Sequence, residues 1–292
     1  MSAVSTVDQP TAPGRARPPF SLATELRRQA SRPRTRIALG FMVVLPLIVL
    51  LAFEFGGTED EAGGTGSGAF SSLVDLATSG GLNFAMFTLL VSSSFLLVVV
   101  TALFFGDTVA SEASWGSLRY LLAIPVPRAR LLGAKLVAAL LYSALALVLL
   151  VGTALIAGTA RYGWEPLRST VADELDPWTG FGRIAAATGY IGLTLLIVAM
   201  LAFLLSVSTD APLGAVGGAV LLHILSSILD QIDALGVIRN FLPTHFTDAW
   251  VGLLSTPIQS DAMVRGAISA LAYATVFGAF AFWRFLRKDV VS

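Results

Sequence analysis

Residues 184–229 read IAAATGYIGLTLLIVAMLAFLLSVSTDAPLGAVGGAVLLHILSSIL, and this stretch decides the fold. It contains no lysine, arginine or glutamate, and Asp210 is its only acidic residue. A helix needs about 20 mainly apolar residues to cross a hydrocarbon core of roughly 30 Å, so the stretch is long enough for two crossings. Asp210 and Pro212 separate the two halves, and proline disrupts a helix interior because it lacks a backbone N–H. The sequence therefore predicts two spans, at about 184–207 and 211–229, joined by a tight turn.

Four more apolar stretches extend this pattern along the chain, at about 37–55, 82–105, 134–158 and 266–286. None of the six alternates with period 2, which argues against a transmembrane β-barrel. Of the 292 residues, 55% are hydrophobic and only 13% are charged, whereas soluble domains carry about 25% charged residues. We therefore predict an all-α integral membrane protein whose six transmembrane helices form one domain at residues 37–286.

The distribution of lysine and arginine predicts the orientation of the chain. Seven arginines precede the first predicted span, four basic residues closely follow the second and three lie at the C-terminal end, whereas five arginines lie in the opposite loops. Basic residues are enriched in cytoplasmic loops of membrane proteins. We therefore expect cytoplasmic tails at 1–36 and 287–292, a multi-pass protein of the cell (plasma) membrane, and an outer loop with short helices at 230–265.

The two ends of the first span have contrasting compositions. Residues 20–30 favour a basic amphipathic helix, with Leu22 and Leu26 on one face and Arg27 and Arg28 on another. Such a helix would lie in the membrane interface; alternatively, the arginines form a solvated tail that only sets topology. On the other side, residues 56–81 contain many glycines, which predicts a flexible linker.

Several kinds of chemistry are excluded or disfavoured by the residues that the chain lacks. It has no cysteine and no net formal charge, so cysteine-based chemistry is excluded, and nothing indicates a nucleic acid as partner. There is no phosphate-binding loop, no H-E-x-x-H metal motif and no nucleophile elbow, and we predict that the chain is not an enzyme. His223 is the only ionisable residue well inside a predicted span. It is a candidate proton relay or substrate contact, or a histidine bonded to a neighbouring helix.

The segment after the second predicted span is the most informative motif. It reads Gly106-Asp107-Thr108-Val109-Ala110-Ser111-Glu112, then Trp115-Gly116-Ser117-Leu118-Arg119, then Pro125-Val126-Pro127-Arg128 and Leu131-Leu132-Gly133-Ala134-Lys135. This is a mixed-charge helical hairpin at the membrane surface. It resembles the loop of the membrane subunits of ABC transporters of the ABC-2 type, which reads approximately G-D-x-[IV]-A-x-E-x-x-x-G-[TS]-L-R-x-L-L-x-x-P-[VI]-x-R-x-x-[LI]-L-x-x-K. The six spans and the basic N-terminal helix fit the same family.

The resemblance implies an ABC-2 (type V exporter-like) permease fold in which residues 106–133 form a cytoplasmic coupling loop that docks onto a separate ATPase subunit. ATP and magnesium would be bound by that partner, with no cofactor in this chain. The partners implied are the ATPase, a second permease chain in a homodimer or heterodimer, and membrane lipid. The contact residues implied by the match are Asp107, Glu112, Gly116, Arg119, Pro125, Arg128 and Lys135.

Two functions are compatible with this loop. One is the permease subunit of an ABC transporter, an exporter of a hydrophobic or amphipathic solute. The other is a non-transporting membrane scaffold or sensor that recruits an ATPase or a signalling partner. The long charge-free spans favour the first, because they could form a path for such a solute.

Two other patterns predict helix packing and membrane contacts. Gly214 and Gly218 are four residues apart on the fifth predicted span, and small residues at this spacing allow two helices to approach closely in lipid. Residues 240–250 predict an interfacial cap, with the aromatic side chains of Phe241, Phe246 and Trp250 at the level of the headgroups.

Overall fold

The computed structural model describes residues 22–55, 67–114, 127–169 and 174–287. Within these ranges the chain is helical apart from turns, loops and one isolated bridge between Leu167 and Leu175. The α-helices are α1 (Leu22–Ser31), α2 (Pro33–Phe55), α3 (Ser67–Thr78), α4 (Gly81–Ser93), α5 (Leu96–Ser114), α6 (Arg128–Tyr162), α7 (Pro177–Ser208), α8 (Pro212–Asp230) and α9 (Asp261–Arg287). Two 3₁₀ segments, Asp233–Phe241 and Ala249–Leu254, lie between α8 and α9.

Six of these helices, α2 and α5 to α9, are long and apolar enough to cross a membrane. This confirms the prediction of an all-helical, multi-pass membrane protein. The predicted turn between the fourth and fifth spans is also present, since α7 ends at Ser208 and Pro212 begins α8. Proline suits this first position because its missing N–H has no partner within the helix there.

The helices divide into an inner pair and an outer group. Helices α5 and α7 bury most of their apolar windows, whereas α2, α8 and α9 bury only a small part of theirs. Outer residues such as Leu213 and Ile156 are 83% and 74% exposed. Apolar side chains can face outward in this way when lipid is the surrounding solvent.

Glycines allow the closest helix contacts in the bundle. A Cβ on Gly106 of α5 would lie 2.8 Å from Val216 Cγ2 of α8, and one on Gly81 of α4 would lie 2.5 Å from the backbone nitrogen of Thr159 of α6. Neither position has room for a larger side chain. These two contacts fix α5 against α8 and α4 against α6, at opposite ends of the bundle.

We call the end that carries α1, the C-terminus of α5 and the N-terminus of α6 the basic end, and the opposite end the loop end. The 3₁₀ segments lie at the loop end, where Arg183 Nη1 of α7 donates to the carbonyl oxygens of Leu253 and Ser255 at 2.6 and 2.9 Å. The Ser226 and Thr244 hydroxyls are 2.7 Å apart and connect α8 to the segment between the two 3₁₀ helices.

The structure corrects the predicted second span. Instead of one helix over 82–105, α4 ends at Ser93 and α5 begins at Leu96, with a turn at Ser94 and Phe95. Helix α5 then continues to Ser114, and α6 begins at Arg128. Much of the predicted coupling loop 106–133 is therefore helical, and its central residues 115–126 lie outside the described residues.

Two predictions about surface segments were also wrong. The expected flexible linker at 56–81 contains α3, and its residues 56–66 lie outside the described residues. Trp250, expected at the headgroup level, is only 1% exposed, because the 3₁₀ segment that carries it packs against α7. Phe241 is 74% exposed, as expected of an interfacial residue. Helix α1 buries Glu25 and Gln29 and leaves Leu22 exposed, so its polar face contacts the bundle.

Candidate functional site

Helix α1 is bound to the bundle by buried ion pairs at the basic end. The basic-end cluster comprises three acidic and four basic residues: Glu25, Arg28, Arg32, Arg34, Asp107, Glu112 and Lys135. The members come from α1, the α1–α2 turn, the start of α2, the last turns of α5 and the second turn of α6. The cluster therefore joins the N-terminal segment to both helices that flank residues 115–126.

Lys135 lies at the centre of one half of the cluster. Its side chain is 1% exposed, and its Nζ donates to Glu25 Oε1 at 3.3 Å and to Glu112 Oε1 at 2.5 Å. Arg28 of α1 also pairs with Glu112. A buried charge is tolerated only when it is paired and hydrogen-bonded. Lys135 thus holds one carboxylate from α1 and one from α5 against α6.

Asp107 is the centre of the other half. It accepts a hydrogen bond from Arg32 Nη1 at 2.6 Å and another from Arg34, and both arginines lie at the junction of α1 and α2. Burial lowers the pKa of Arg32 and the neighbouring Arg28 and Arg34 add to this effect, whereas Asp107 opposes it. Arg32 Nη1 also lies 3.4 Å from the hydroxyl of Ser111, one turn after Asp107. Asp107 therefore fixes the point where the chain enters its first long apolar helix.

Further hydrogen bonds extend these attachments. Tyr142 of α6 donates from its hydroxyl to the carbonyl oxygen of Leu26 at 2.7 Å. The Ser206 hydroxyl of α7 accepts from the backbone N–H groups of Val109 and Ala110 of α5 at 3.0 Å each. The basic end is thus a continuous polar connection between α1, α5, α6 and α7.

Only some of the predicted partner contacts can be placed in the structure. Gly116, Arg119 and Pro125 lie outside the described residues. Arg128 is half-buried at the start of α6. The remaining three residues, Asp107, Glu112 and Lys135, are 5%, 2% and 1% exposed and form ion pairs within the chain. In this structure they are therefore not accessible for the direct partner contact that the resemblance implies.

The basic residues that complete the cluster were interpreted from sequence only as topology signals or as the polar face of an interfacial helix. Glu25 was not singled out at all. The available signal was the pair Glu25 and Gln29, one turn apart on a helix that also carries Arg27 and Arg28. Because residues four apart share a helix face, this pair marks the face that contacts the bundle.

The predicted packing glycines lie on different parts of α8. A Cβ on Gly218 would lie 3.2 Å from Leu205 Cδ1 of α7, so Gly218 is at a contact within the chain. Gly214 is exposed, and a Cβ there would meet only Ala211, at 3.6 Å. A close helix contact at Gly214 would therefore have to be made with another chain, and it stays a prediction.

His223 lies on α8 and lines a cleft near the loop end. Its ring makes no hydrogen bond to a neighbouring helix among the residues that the structure describes. Within the same residues, no group of three or more His, Asp or Glu side chains is placed so that it could hold a metal ion.

Comparison with known proteins identifies a family. A family model described as "Protein of unknown function (DUF2705)" matches residues 61–291, which is most of the chain, and the chain belongs to this family. No curated protein matches the chain. The matched region begins after α2 and includes Asp107, Glu112 and Lys135, but it excludes the α1 residues of the basic-end cluster.

Proposed function

We propose that this member of the DUF2705 family is the membrane-spanning permease subunit of an ATP-binding cassette transporter of the ABC-2 type. It would be located in the plasma membrane with both termini cytoplasmic and would export a hydrophobic or amphipathic solute. A separate ATPase would bind ATP and magnesium, and two permease chains would form the transport path.

The observation that carries the proposal is the sequence of residues 106–135, which matches the ABC-2 loop at nearly every position. Its location in the fold supports this interpretation. The loop joins α5 and α6 at the basic end, beside the arginine-rich α1, where an excess of positive charge favours the cytoplasm. A cytoplasmic ATPase would find the loop there.

The basic-end cluster supplies a physical route for coupling. Glu112 is two residues before the end of α5, and Lys135 is two turns into α6, so both ends of the loop are tied to α1. A force on the loop would therefore act on α1, α5 and α6 together. In this scheme Asp107, Glu112 and Lys135 position the loop, and the contact with the ATPase is made by loop residues such as Arg119.

Co-expression and co-purification with a candidate ABC ATPase subunit test the proposal. The complex should hydrolyse ATP, and a transported solute should raise the rate, whereas the purified chain alone should show no hydrolysis above a mock preparation. Arg119→Glu should abolish co-purification without lowering expression, because it reverses a charge in the loop. Arg15→Glu in the N-terminal tail is the matched control and should have no effect.

The outcomes separate the two functions that the sequence allows. Co-purification without solute-dependent hydrolysis or solute movement in vesicles would indicate a scaffold or sensor. ATP hydrolysis by the isolated chain, or full co-purification and transport by the Arg119→Glu variant, would contradict the permease proposal.

A further inference from the structure

A cleft of about 370 Å³ lies near the loop end, apart from the basic-end cluster. It is enclosed by the turn between α4 and α5, by α7, by α8 and by the segment between the two 3₁₀ helices. Ligand pockets have volumes of about 300–1,000 Å³, so this cleft suits a small molecule. Its polar lining includes Ser93, Thr194, His223, Ser227, Gln231 and Asp248.

Helix α8 contributes a polar stripe to this cleft. His223 and Ser227 of α8 and Gln231, which directly follows the helix, recur every four residues, so they lie on one face. The other side carries exposed apolar residues such as Leu221 and Leu222. Polar side chains in membrane helices almost always face a protein interior or a water-filled cavity, because exposing them to lipid is costly. The stripe therefore indicates a hydrated or ligand-filled cleft.

The turn between α4 and α5 is a second indication of a ligand site. Ser93 and Ser94 line the cleft at the point where α4 ends. Interrupted helices within a membrane are tolerated where they are buried in protein or line a cavity, and their ends often bind ions or substrates in transporters. The hydroxyl oxygens of Ser93 and Ser94 at this turn can accept hydrogen bonds from a cationic ligand.

Among the described residues that line the cleft, Asp248 is the only carboxylate, and no lysine or arginine is present. No basic side chain forms a salt bridge with it among the described residues. The nearby bases are engaged elsewhere, since His245 Nδ1 is 2.5 Å from Asp230 and Arg239 Nη1 is 2.6 Å from Asp233. Partial burial and the negative charge of Asp230 raise the pKa of Asp248. A bound cation would offset both effects.

The opposite wall of the cleft is apolar. It includes Val98 of α5, Leu195 of α7 and Ile224 of α8. A ligand that satisfies both walls combines a cationic group with a compact hydrophobic body. We propose that this cleft binds small organic cations, with a primary ammonium group between Asp248 and the end of α4 and an apolar body against Val98 and Leu195. This proposal is independent of the ATPase, because it depends only on residues near the loop end.

Thiol labelling tests the proposal directly, because the chain contains no cysteine. The variant Ser227→Cys in purified, detergent-solubilised full-length protein is treated with a cationic trimethylammonium methanethiosulfonate or with its anionic sulfonate analogue. The ratio of the cationic to the anionic labelling rate should be at least fivefold higher at Ser227→Cys than for free cysteine. Asp248→Asn should bring the ratio close to that of free cysteine.

Protection identifies the ligand class. Phenethylammonium at millimolar concentration should slow labelling of Ser227→Cys severalfold, whereas phenethyl alcohol, its neutral analogue, should not. Leu222→Cys on the opposite face of α8 is the matched control, and phenethylammonium should leave its labelling rate unchanged. Ser94→Cys provides a second reporter on another wall of the cleft if Ser227→Cys does not fold.

Three results would overturn the proposal. Absence of labelling at both Ser227→Cys and Ser94→Cys would show that the cleft is closed to solutes. A ratio of the two labelling rates equal to that of free cysteine would show that Asp248 creates no cation preference. Equal protection by the ammonium compound and the alcohol would indicate a purely hydrophobic pocket.

Discussion

Replacing Lys135 with methionine tests whether the basic-end cluster holds α1 and α5 against α6. Methionine keeps an unbranched side chain of similar length but removes the ammonium group that binds Glu25 and Glu112. At an effective dielectric constant of about 20, the Glu25 carboxylate at 3.3 Å attracts the ammonium by about 5 kcal/mol and the Glu112 carboxylate at 2.5 Å by about 7 kcal/mol. The cost of desolvating the three charges offsets much of this attraction.

The expected net effect follows from what methionine leaves behind. Glu25 and Glu112 are 1% and 2% exposed, so loss of Lys135 leaves two buried carboxylates close together, both of which also pair with the partly exposed Arg28. Removing one partner from a buried ion pair costs about 3–5 kcal/mol. We expect the free energy of unfolding of Lys135→Met to fall by about this amount.

The measurement is reversible unfolding by SDS in mixed micelles. Arg130→Met is the matched control, because Arg130 is an exposed cation on the same helix, and its loss should change stability by less than about 0.5 kcal/mol. The double variant with Glu25→Gln should be more stable than the sum of the single effects predicts, by at least about 0.5 kcal/mol. Equal stabilities of Lys135→Met and Arg130→Met would refute the reasoning.

Three other predictions concern packing, assembly and topology. Gly158→Ala should lower stability by about 1–3 kcal/mol, because the new Cβ would lie 2.9 Å from the ring of Phe84. Gly152→Ala, where a Cβ would have nothing within 4 Å, should raise stability by up to about 1 kcal/mol. Equal effects of the two variants in thermal unfolding would contradict this. Gly214→Leu should weaken cross-linking between chains if this exposed face meets a second copy, and unchanged cross-linking would show that it faces lipid. In intact cells, an impermeant thiol reagent should label Thr170→Cys but not Ser292→Cys, and the reverse pattern would refute the predicted orientation.

Most of the spans could be predicted from the sequence because each is an apolar stretch of about the length needed to cross the hydrocarbon core. The turn at Asp210 and Pro212 could be predicted for the same reason, since an uninterrupted helix would be too long. The interruption at Ser94 could not. Serine hydroxyls can bond to carbonyl oxygens of the preceding turn, as Ser93 does with Leu90 at 3.1 Å, so serines are compatible with either a continuous or an interrupted helix.

The orientation of α1 could not be predicted from its amphipathic pattern, because such a pattern distinguishes only a side that faces lipid from a side that faces water. On that basis Leu22 and Leu26 should face the membrane. In the structure Glu25 faces neither lipid nor water. It pairs with a buried lysine on α6 that lies 110 positions later in the chain. Long-range pairing of this kind leaves little local signal, since only the helix face of Glu25 and Gln29 indicates it.

The burial of Asp107, Glu112 and Lys135 changes how the loop motif can act. A residue that contacts a partner directly must be exposed before the partner binds, and these three are enclosed by α1 and the α1–α2 turn. Their location instead couples the loop to the start of α2, because Asp107 binds both Arg32 and Arg34. If the loop binds an ATPase as proposed, a rigid displacement of α1, α5 and α6 preserves these ion pairs, whereas movement of the loop alone would break them. Rigid displacement is therefore the less costly motion, and it would transmit force from the basic end to the apolar helices.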